Sequence, residues 1–132
     1  MKKIKMISVF ILGLFLFGCP VDKEGIDRTL TLVNDSEFDI YFHWKVNNEY
    51  PADYLYESIP SGNFLIKSAS SKNIPVNSEW FVETLRIFVY KSSTLEANDW
   101  ETVRDNGLYD ARFDLTKEEI IDMNWTIVYD GL

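Results

Sequence analysis

The sequence predicts a mainly β fold, a small antiparallel sandwich or open barrel with short helices in its C-terminal third. Short segments with alternating apolar and polar residues recur along the chain, which is typical of half-buried strands. Helical patterns are few and brief. The chain has 132 residues, of which 46% are hydrophobic and 15% aromatic. That length and composition are sufficient for one hydrophobic core, so we expect a single domain.

Three segments show the clearest strand patterns. Residues 29–33 alternate leucine with threonine, and residues 38–46 place an apolar residue at every second position. The short Asn-Asp-Ser link between these segments predicts that they pair as a hairpin. Residues 84–90 carry apolar side chains on both faces, which predicts a strand buried on both sides. Weaker patterns predict strands at 64–67, 74–76, 108–115 and 125–129, with 74–76 at a sheet edge because Pro75 lacks an N–H donor.

Capping-box patterns predict three short helices, which begin at residues 93, 98 and 116. In the third pattern, the Thr116 hydroxyl can accept a hydrogen bond from the Glu119 amide while the Glu119 carboxylate binds the Thr116 amide. This helix is expected to end near Asn124. Residues 47–61 contain Pro51 and Pro60 and are expected to form a loop.

The N-terminus has the layout of a bacterial secretion signal. Three lysines precede an uncharged run at residues 6–18, which is too short to span a bilayer as a helix. The end of this run and the residue that follows it, Leu16-Phe17-Gly18-Cys19, resemble the lipobox of bacterial lipoproteins. This resemblance implies that signal peptidase recognises Leu16 and Gly18 and that Cys19 carries covalent diacylglycerol. We therefore expect a signal peptide at 1–18, a lipidated tether at 19–27 and one β-rich domain at 28–132.

Motifs in the C-terminal third extend the resemblance. They are Thr94-Leu95-Glu96, Trp100-Glu101, Val103-Arg104, Arg112-Phe113-Asp114-Leu115-Thr116, Glu118-Glu119-Ile120 and Met123-Asn124-Trp125-Thr126-Ile127-Val128-Tyr129. Together with Asn34, Ile40-Tyr41 and the lipobox, they resemble a set of small Bacteroidetes lipoproteins of unknown function. The resemblance implies a cell-envelope lipoprotein, expected at the outer membrane on its periplasmic face or at the cell surface. It implies no catalytic or binding residue.

The charge balance restricts the classes of partner. The chain has 13 Lys and Arg against 21 Asp and Glu, a formal net charge of −8. Removing the three leader lysines leaves 10 cations against 21 acids, or −11. So acidic a protein is unsuited to nucleic acid, because phosphate contacts need clustered cations. Anionic lipid should repel it as well, so we expect the lipid anchor alone to hold it at the membrane.

The sequence contains no assembled catalytic set. One Cys and one His exclude a disulfide framework and any zinc site with several Cys and His ligands. His43 is the one candidate base near neutral pH, and no Gly-x-Ser-x-Gly nucleophile motif accompanies it. We therefore expect no enzymatic activity, no metal and no cofactor beyond the lipid. Calcium is a weak alternative, with Asp105, Asn106 and Asp110 as its candidate ligands.

Aromatic residues provide the richest candidate binding surface. Tyr50, Tyr54 and Tyr56 share one loop with prolines and acids, a combination that can contact sugar rings or protein partners. Trp44 and Trp125 lie in strand patterns and are expected in the core. The leading hypothesis is a noncatalytic interaction or accessory protein whose partner is an unidentified envelope protein or glycan. The alternatives are a glycan-binding module that uses the loop tyrosines and a small hydrolase that uses His43.

Overall fold

A computed structural model describes residues 28–46, 55–76 and 84–132. The predicted signal peptide, the lipobox with Cys19, and the aromatic residues Tyr50, Tyr54 and Trp80 lie outside the described residues.

Two packed sheets form the domain. The elements are, in chain order, β1 Arg28–Asn34, β2 Ile40–Val46, a 3-10 turn Gly62–Phe64, β3 Leu65–Ile66, β4 Ser70–Val76, β5 Thr84–Lys91, α1 Ser92–Ala97, α2 Trp100–Asn106, β6 Ala111–Thr116, α3 Lys117–Asp122 and β7 Thr126–Tyr129. One sheet has the strand order β4-β1-β7 and the other the order β3-β2-β5-β6. The predicted mainly β fold with short C-terminal helices is confirmed, as a sandwich and not a closed barrel.

The main core lies between the two sheets and follows the alternation in the sequence. Its buried side chains are Leu30, Leu32, Ile40, Phe42, Ile66, Ile74, Val76, Leu85, Ile87, Val89, Leu115, Ile120, Ile127 and Tyr129. Trp44, in β2, and Trp125 are partly buried against this cluster. Trp125 lies in the turn before β7 and not in the strand predicted from its sequence pattern. Removing so much apolar area from water provides the main free energy that holds the sheets together.

The predicted hairpin between the first two strand segments is wrong. β1 pairs antiparallel with β4 and parallel with β7, whereas β2 pairs with β3 and β5 in the other sheet. The buried Asn34 amide holds the corner between the sheets. Its Nδ2 donates to the carbonyls of Phe38 at 2.7 Å, Ile66 at 3.1 Å and Lys67 at 3.2 Å. Its Oδ1 accepts from the Ser36 amide and hydroxyl, so the link between the strands forms a corner and not a hairpin turn.

A second, smaller core covers the opposite face of β5. Leu55, Phe88, Tyr90 and Val103 are buried there, and side chains of α1 and α2 pack around them. Alternate residues of β5 therefore enter different cores, which confirms the prediction that this strand is buried on both sides. The arrangement encloses the face of β2 that carries His43.

Of the three predicted helix starts, one follows the predicted chemistry. The capping box at the start of α3 is present, with reciprocal bonds between Thr116 and Glu119. α2 is capped by Asp99, whose carboxylate accepts from the Thr102 amide, and not by the predicted Asn98. α1 begins at Ser92 after Lys91 and has no side-chain cap. Its first amide donates to the Asp39 carbonyl at 2.9 Å, so a tertiary contact satisfies this end of the helix.

The edge strand predicted at 74–76 is longer than expected. β4 extends from Ser70 to Val76, and its polar first half pairs with β1 through Asn34↔Ser70 and Thr31↔Asn73. The sequence pattern underestimates the length of this strand because only Ile74 and Val76 face the core. Backbone pairing with β1 continues where apolar alternation stops.

Replacing Asn34 by Ala should destabilise the fold by about 2–4 kcal/mol, because several buried carbonyls lose their donor at once. Urea unfolding followed by circular dichroism measures this. Asn73→Ala is the matched control, since Asn73 is exposed and its Oδ1 accepts one bond of 3.3 Å from Thr31. Its effect should stay within about 0.5 kcal/mol. Equal effects of the two substitutions would contradict the role given to the Asn34 amide.

Candidate functional site

The candidate site lies on the face of β2 that points away from the main core. Because side chains alternate along a strand, Tyr41, His43 and Lys45 share this face. On β5 their direct cross-strand neighbours are Tyr90, Phe88 and Arg86, respectively. This face therefore changes along its length, from aromatic residues near α1 and α2 to cationic residues at the far end.

His43 lies within a cluster of aromatic rings. The ring centroids of Tyr56, Trp100, Tyr90 and Phe64 are 4.7, 5.6, 5.8 and 5.9 Å from that of His43. All four contacts are edge-on, which is a favourable geometry for aromatic pairs. We call His43 and these four residues the aromatic cluster. The imidazole is 7% exposed, so it belongs to the packed interior of the domain.

Two side-chain donors, the Trp100 indole and the Tyr56 hydroxyl, hold the segment that carries Tyr56. The Trp100 indole N–H donates to the carbonyls of Tyr56 and Glu57, at 3.1 and 2.9 Å. The Tyr56 hydroxyl donates to the Trp44 carbonyl at 2.6 Å. The first residue of α2 and the backbone of β2 are therefore both tied to the same short segment. Leu55, the preceding residue, is 1% exposed and anchors the segment in the second core.

The surroundings of His43 keep its imidazole neutral. Burial in the aromatic cluster, together with the nearby Lys45 charge, lowers its pKa from 6.5 to about 4. Its Nδ1 is buried without a hydrogen-bond partner among the described residues, as is the hydroxyl of Tyr90. Burial also raises the pKa of Tyr90 above its usual value. No carboxylate of the described chain hydrogen-bonds to His43, so this geometry lacks the orienting acid of a catalytic relay.

Three cations and one acid occupy the other end of the face. Asp114 accepts from Arg86 at 2.6 Å and from Arg112 at 2.7 Å. Burial raises the pKa of Asp114, but the hydrogen bonds from Arg112 and Arg86 outweigh it, so the pKa falls overall. Lys45 lies directly across from Arg86. Burial and the like charge of Arg86 lower the pKa of Lys45.

Lys45 connects this cationic end with the aromatic cluster. Its Nζ lies 5.0 Å from the centre of the Tyr56 ring and 5.8 Å from that of Phe88, within the range of cation–π attraction. Lys45 is only 8% exposed, so solvent screens its charge little and the rings of Tyr56 and Phe88 lie against it. Within the domain, this face therefore joins a layer of aromatic rings to a cluster of positive charges around Asp114.

The candidate calcium ligands take separate positions. Asp105 pairs with Arg104 at 3.0 Å, and the Asn106 amide donates to the Thr102 carbonyl. The Asp110 carboxylate accepts from the Lys91 amide and the Thr94 hydroxyl, at 2.7 and 2.8 Å. Within 28–46, 55–76 and 84–132, no group of three His, Cys, Asp or Glu residues is placed to hold a metal ion.

Of the three loop tyrosines, only Tyr56 lies among the described residues. It is 38% exposed, and its ring packs against His43. The alternation in β2 correctly places His43 away from the main core, but it does not indicate that α2 covers that face. The contact between Trp100 and Tyr56 joins residues 44 positions apart, and no local pattern predicts it. The feature of the sequence that comes nearest to indicating this contact is Trp100 itself, an aromatic residue near a predicted helix start.

No protein-family model, curated protein or solved structure matches this chain. In the described part of the chain, none of the helices has both the length and the apolar character needed to cross a bilayer.

Acid should destabilise the domain through His43. Because its pKa is lower in the folded state, the unfolded chain takes up the proton first as the pH falls. This contribution to stability is complete above pH 6.5 and is lost as the pH falls towards 4. The loss of stability amounts to about 2–3 kcal/mol at pH 4.5. His43→Phe should remove this part of the pH dependence, as measured by urea unfolding at pH 7 and pH 4.5.

The matched control for His43→Phe is Trp100→Phe, which disturbs the same ring packing without removing a titrating group. It should lower stability at both pH values and keep the wild-type difference between them. If His43→Phe kept that difference too, His43 would not be the group responsible.

Proposed function

We propose that this protein is a noncatalytic, lipid-anchored accessory protein of the bacterial cell envelope, whose β domain binds another macromolecule. The observation that carries the proposal is the placement of the single cysteine. Cys19 directly follows a basic and apolar leader and occupies the lipid-accepting position of a lipobox-like sequence. Eight residues separate it from β1, which begins at Arg28. A short tether of this kind keeps the folded domain close to the membrane.

The chemistry of the candidate site supports a binding role. His43 is neutral at physiological pH, enclosed by rings and without a hydrogen-bonded carboxylate in the described chain. The Tyr90 hydroxyl is fully buried. General acid–base catalysis needs a group within hydrogen-bond reach of substrate and with a pKa near the working pH. These two residues instead contribute to a rigid layer under α2.

The charge of the domain supports anchoring through lipid and not through the protein surface. After removal of the leader the chain has a formal net charge of −11, from 10 cations and 21 acids. Anionic headgroups repel such a body. Stable attachment needs two or more hydrophobic chains, which diacylglycerol at Cys19 provides. The proposed location is the outer membrane, on its periplasmic face or at the cell surface.

Labelled fatty acid should be incorporated into the full-length chain when it is expressed in a bacterium with lipoprotein-processing enzymes. Cys19→Ala should lose all of the label, because the acceptor sulfur is absent. Ser8→Ala, in the middle of the leader, is the matched control and should keep the label. Mass spectrometry of the purified product should show a lipid-modified Cys19 as the first residue. An unmodified thiol on a chain that retains Met1 would contradict the proposal.

A glycan is the second candidate for the macromolecular partner. The ring of Tyr56 is partly exposed and lies beside the exposed carboxylate-bearing residue Glu57. Sugars stack on such rings while neighbouring carboxylates bind their hydroxyls. This candidate fails if isothermal titration calorimetry detects no binding of envelope or host glycans at millimolar concentration.

If a glycan binds, Tyr56→Ala should weaken its binding at least about tenfold, a loss of roughly 1.4 kcal/mol. Ile59→Ala is the matched control because Ile59 is 52% exposed on the same segment. It should leave the dissociation constant unchanged. Equal weakening by the two substitutions would point away from stacking on Tyr56.

A further inference from the structure

Among the residues that the structure describes, no strand pairs with the outer edge of β7. β7 pairs with β1 on one side only and is the last strand of its sheet. The backbone amides of Thr31, in β1, and of Asp35, just after β1, donate to the carbonyls of Trp125 and Tyr129, respectively. Because peptide groups alternate in direction along a strand, the N–H and C=O of Val128 point away from β1. A further strand could therefore bind the backbone at this position.

The other three edges carry features that oppose strand addition. β4 contains Pro75, which has no N–H donor, together with Lys72. β3 has only two residues. β6 carries Arg112 and Asp114 and runs directly into α3. Prolines, charges and short length are the usual means by which proteins prevent edge pairing. β7, with the sequence Thr-Ile-Val-Tyr, contains neither a proline nor a charged residue.

Several exposed apolar side chains lie in the C-terminal segment that contains β7. Within the described ranges, seven large hydrophobic side chains are exposed, and four of them belong to the last twelve residues. These four are Ile121, Met123, Val128 and Leu132. Val128 itself is 50% exposed, at the centre of the open strand. Apolar exposure that coincides with unpaired backbone is typical of a protein interface.

We propose that this protein forms a symmetric dimer in which β7 pairs antiparallel with β7 of a second copy. A two-fold axis requires an antiparallel arrangement, because each strand must present the same face to the other. The outward N–H and C=O of Val128 place this residue on the axis, opposite Val128 of the second copy. The pair exchanges two hydrogen bonds, and the three-stranded sheet becomes a continuous six-stranded sheet.

Charge complementarity favours a second copy as the occupant. With Val128 on the axis, Thr126 of one copy lies opposite Asp130 of the other. The Thr126 hydroxyl, which donates to the Asn124 carbonyl at 3.3 Å within its own chain, exchanges that bond for one to the facing carboxylate. No like charges face each other across the new strand pair. In a chain with a net charge of −8, few surfaces allow two copies to approach without repulsion. The uncharged β7 strand is such a surface, and it is self-complementary.

Cross-linking through position 128 tests the geometry. Val128→Cys in the full-length chain, expressed in cells and treated with a short thiol cross-linker, should form covalent dimers. Directly opposed residues have Cα atoms about 5.5 Å apart, within reach of such a reagent. Ile59→Cys is the matched control, since the 52% exposure of Ile59 is close to the 50% of Val128 while it lies outside β7. It should form at least about tenfold less dimer.

Charge exchange at position 128 tests the symmetry. Val128→Lys and Val128→Asp each place like charges on the axis, so each variant alone should dimerise at least about tenfold more weakly. A mixture of the two, carrying different tags, should recover the dimer because opposite charges then meet. Position 128 faces solvent, so both variants should fold, which circular dichroism checks. Sedimentation in detergent measures the association.

Two results would overturn the proposal. One is a wild-type protein that remains monomeric at all accessible concentrations, with no more cross-linking at position 128 than at position 59. The other is a Val128→Cys product whose second component is a different protein. The dimer is independent of the lipid, so cross-linking is repeated with Cys19→Ala. If the Cys19→Ala variant incorporates no label but still forms cross-linked dimers, dimerisation does not need the lipid anchor. A failure of the anchoring proposal is then distinguishable from a failure of the dimer proposal.

Discussion

The burial of β5 on both of its faces is the constraint on which the rest of the structure depends. Leu85, Ile87 and Val89 enter the core between the sheets, while Phe88 and Tyr90 face the opposite way. A strand with two apolar faces needs a cover on each side. The second sheet covers one face, and α1 and α2 cover the other. The short C-terminal helices are therefore a structural requirement of the central strand.

The same constraint explains the character of the candidate site. A polar residue on β2 that faces the helical cover enters a layer made of aromatic rings. His43 consequently stays neutral, and its Nδ1 has no partner in the described chain. Leaving a buried polar atom unpaired costs roughly 1–3 kcal/mol. The domain tolerates this because edge-on ring contacts and the indole bonds of Trp100 hold the layer together. A site of this kind favours rigidity and contact over proton transfer.

Anchoring and association place different demands on the chain. The lipobox-like sequence and the acidic composition support the proposal that a lipid anchor holds the protein at a membrane. The open edge of β7 supports the proposal that the folded domain pairs with a second copy. The two features lie at opposite ends of the sequence and rest on independent chemistry, a thiol in one case and unpaired backbone in the other. A lipid-anchored dimer would have two anchors, which strengthens attachment without a new membrane contact.

Signals between near neighbours in the sequence were sufficient to predict the local elements, the strands and one helix start. Alternation defined the strands around Leu30, Phe42 and Ile87, and the spacing of Thr116 and Glu119 defined a capping box, because these signals involve residues a few positions apart. Only the tertiary structure decided which strands pair. The sequence link after β1 suggested a hairpin, but the Asn34 amide finds its carbonyl partners up to 33 residues away. The aromatic cluster and the open edge of β7 likewise arise from contacts between distant segments, and residues far apart in sequence leave no periodic pattern.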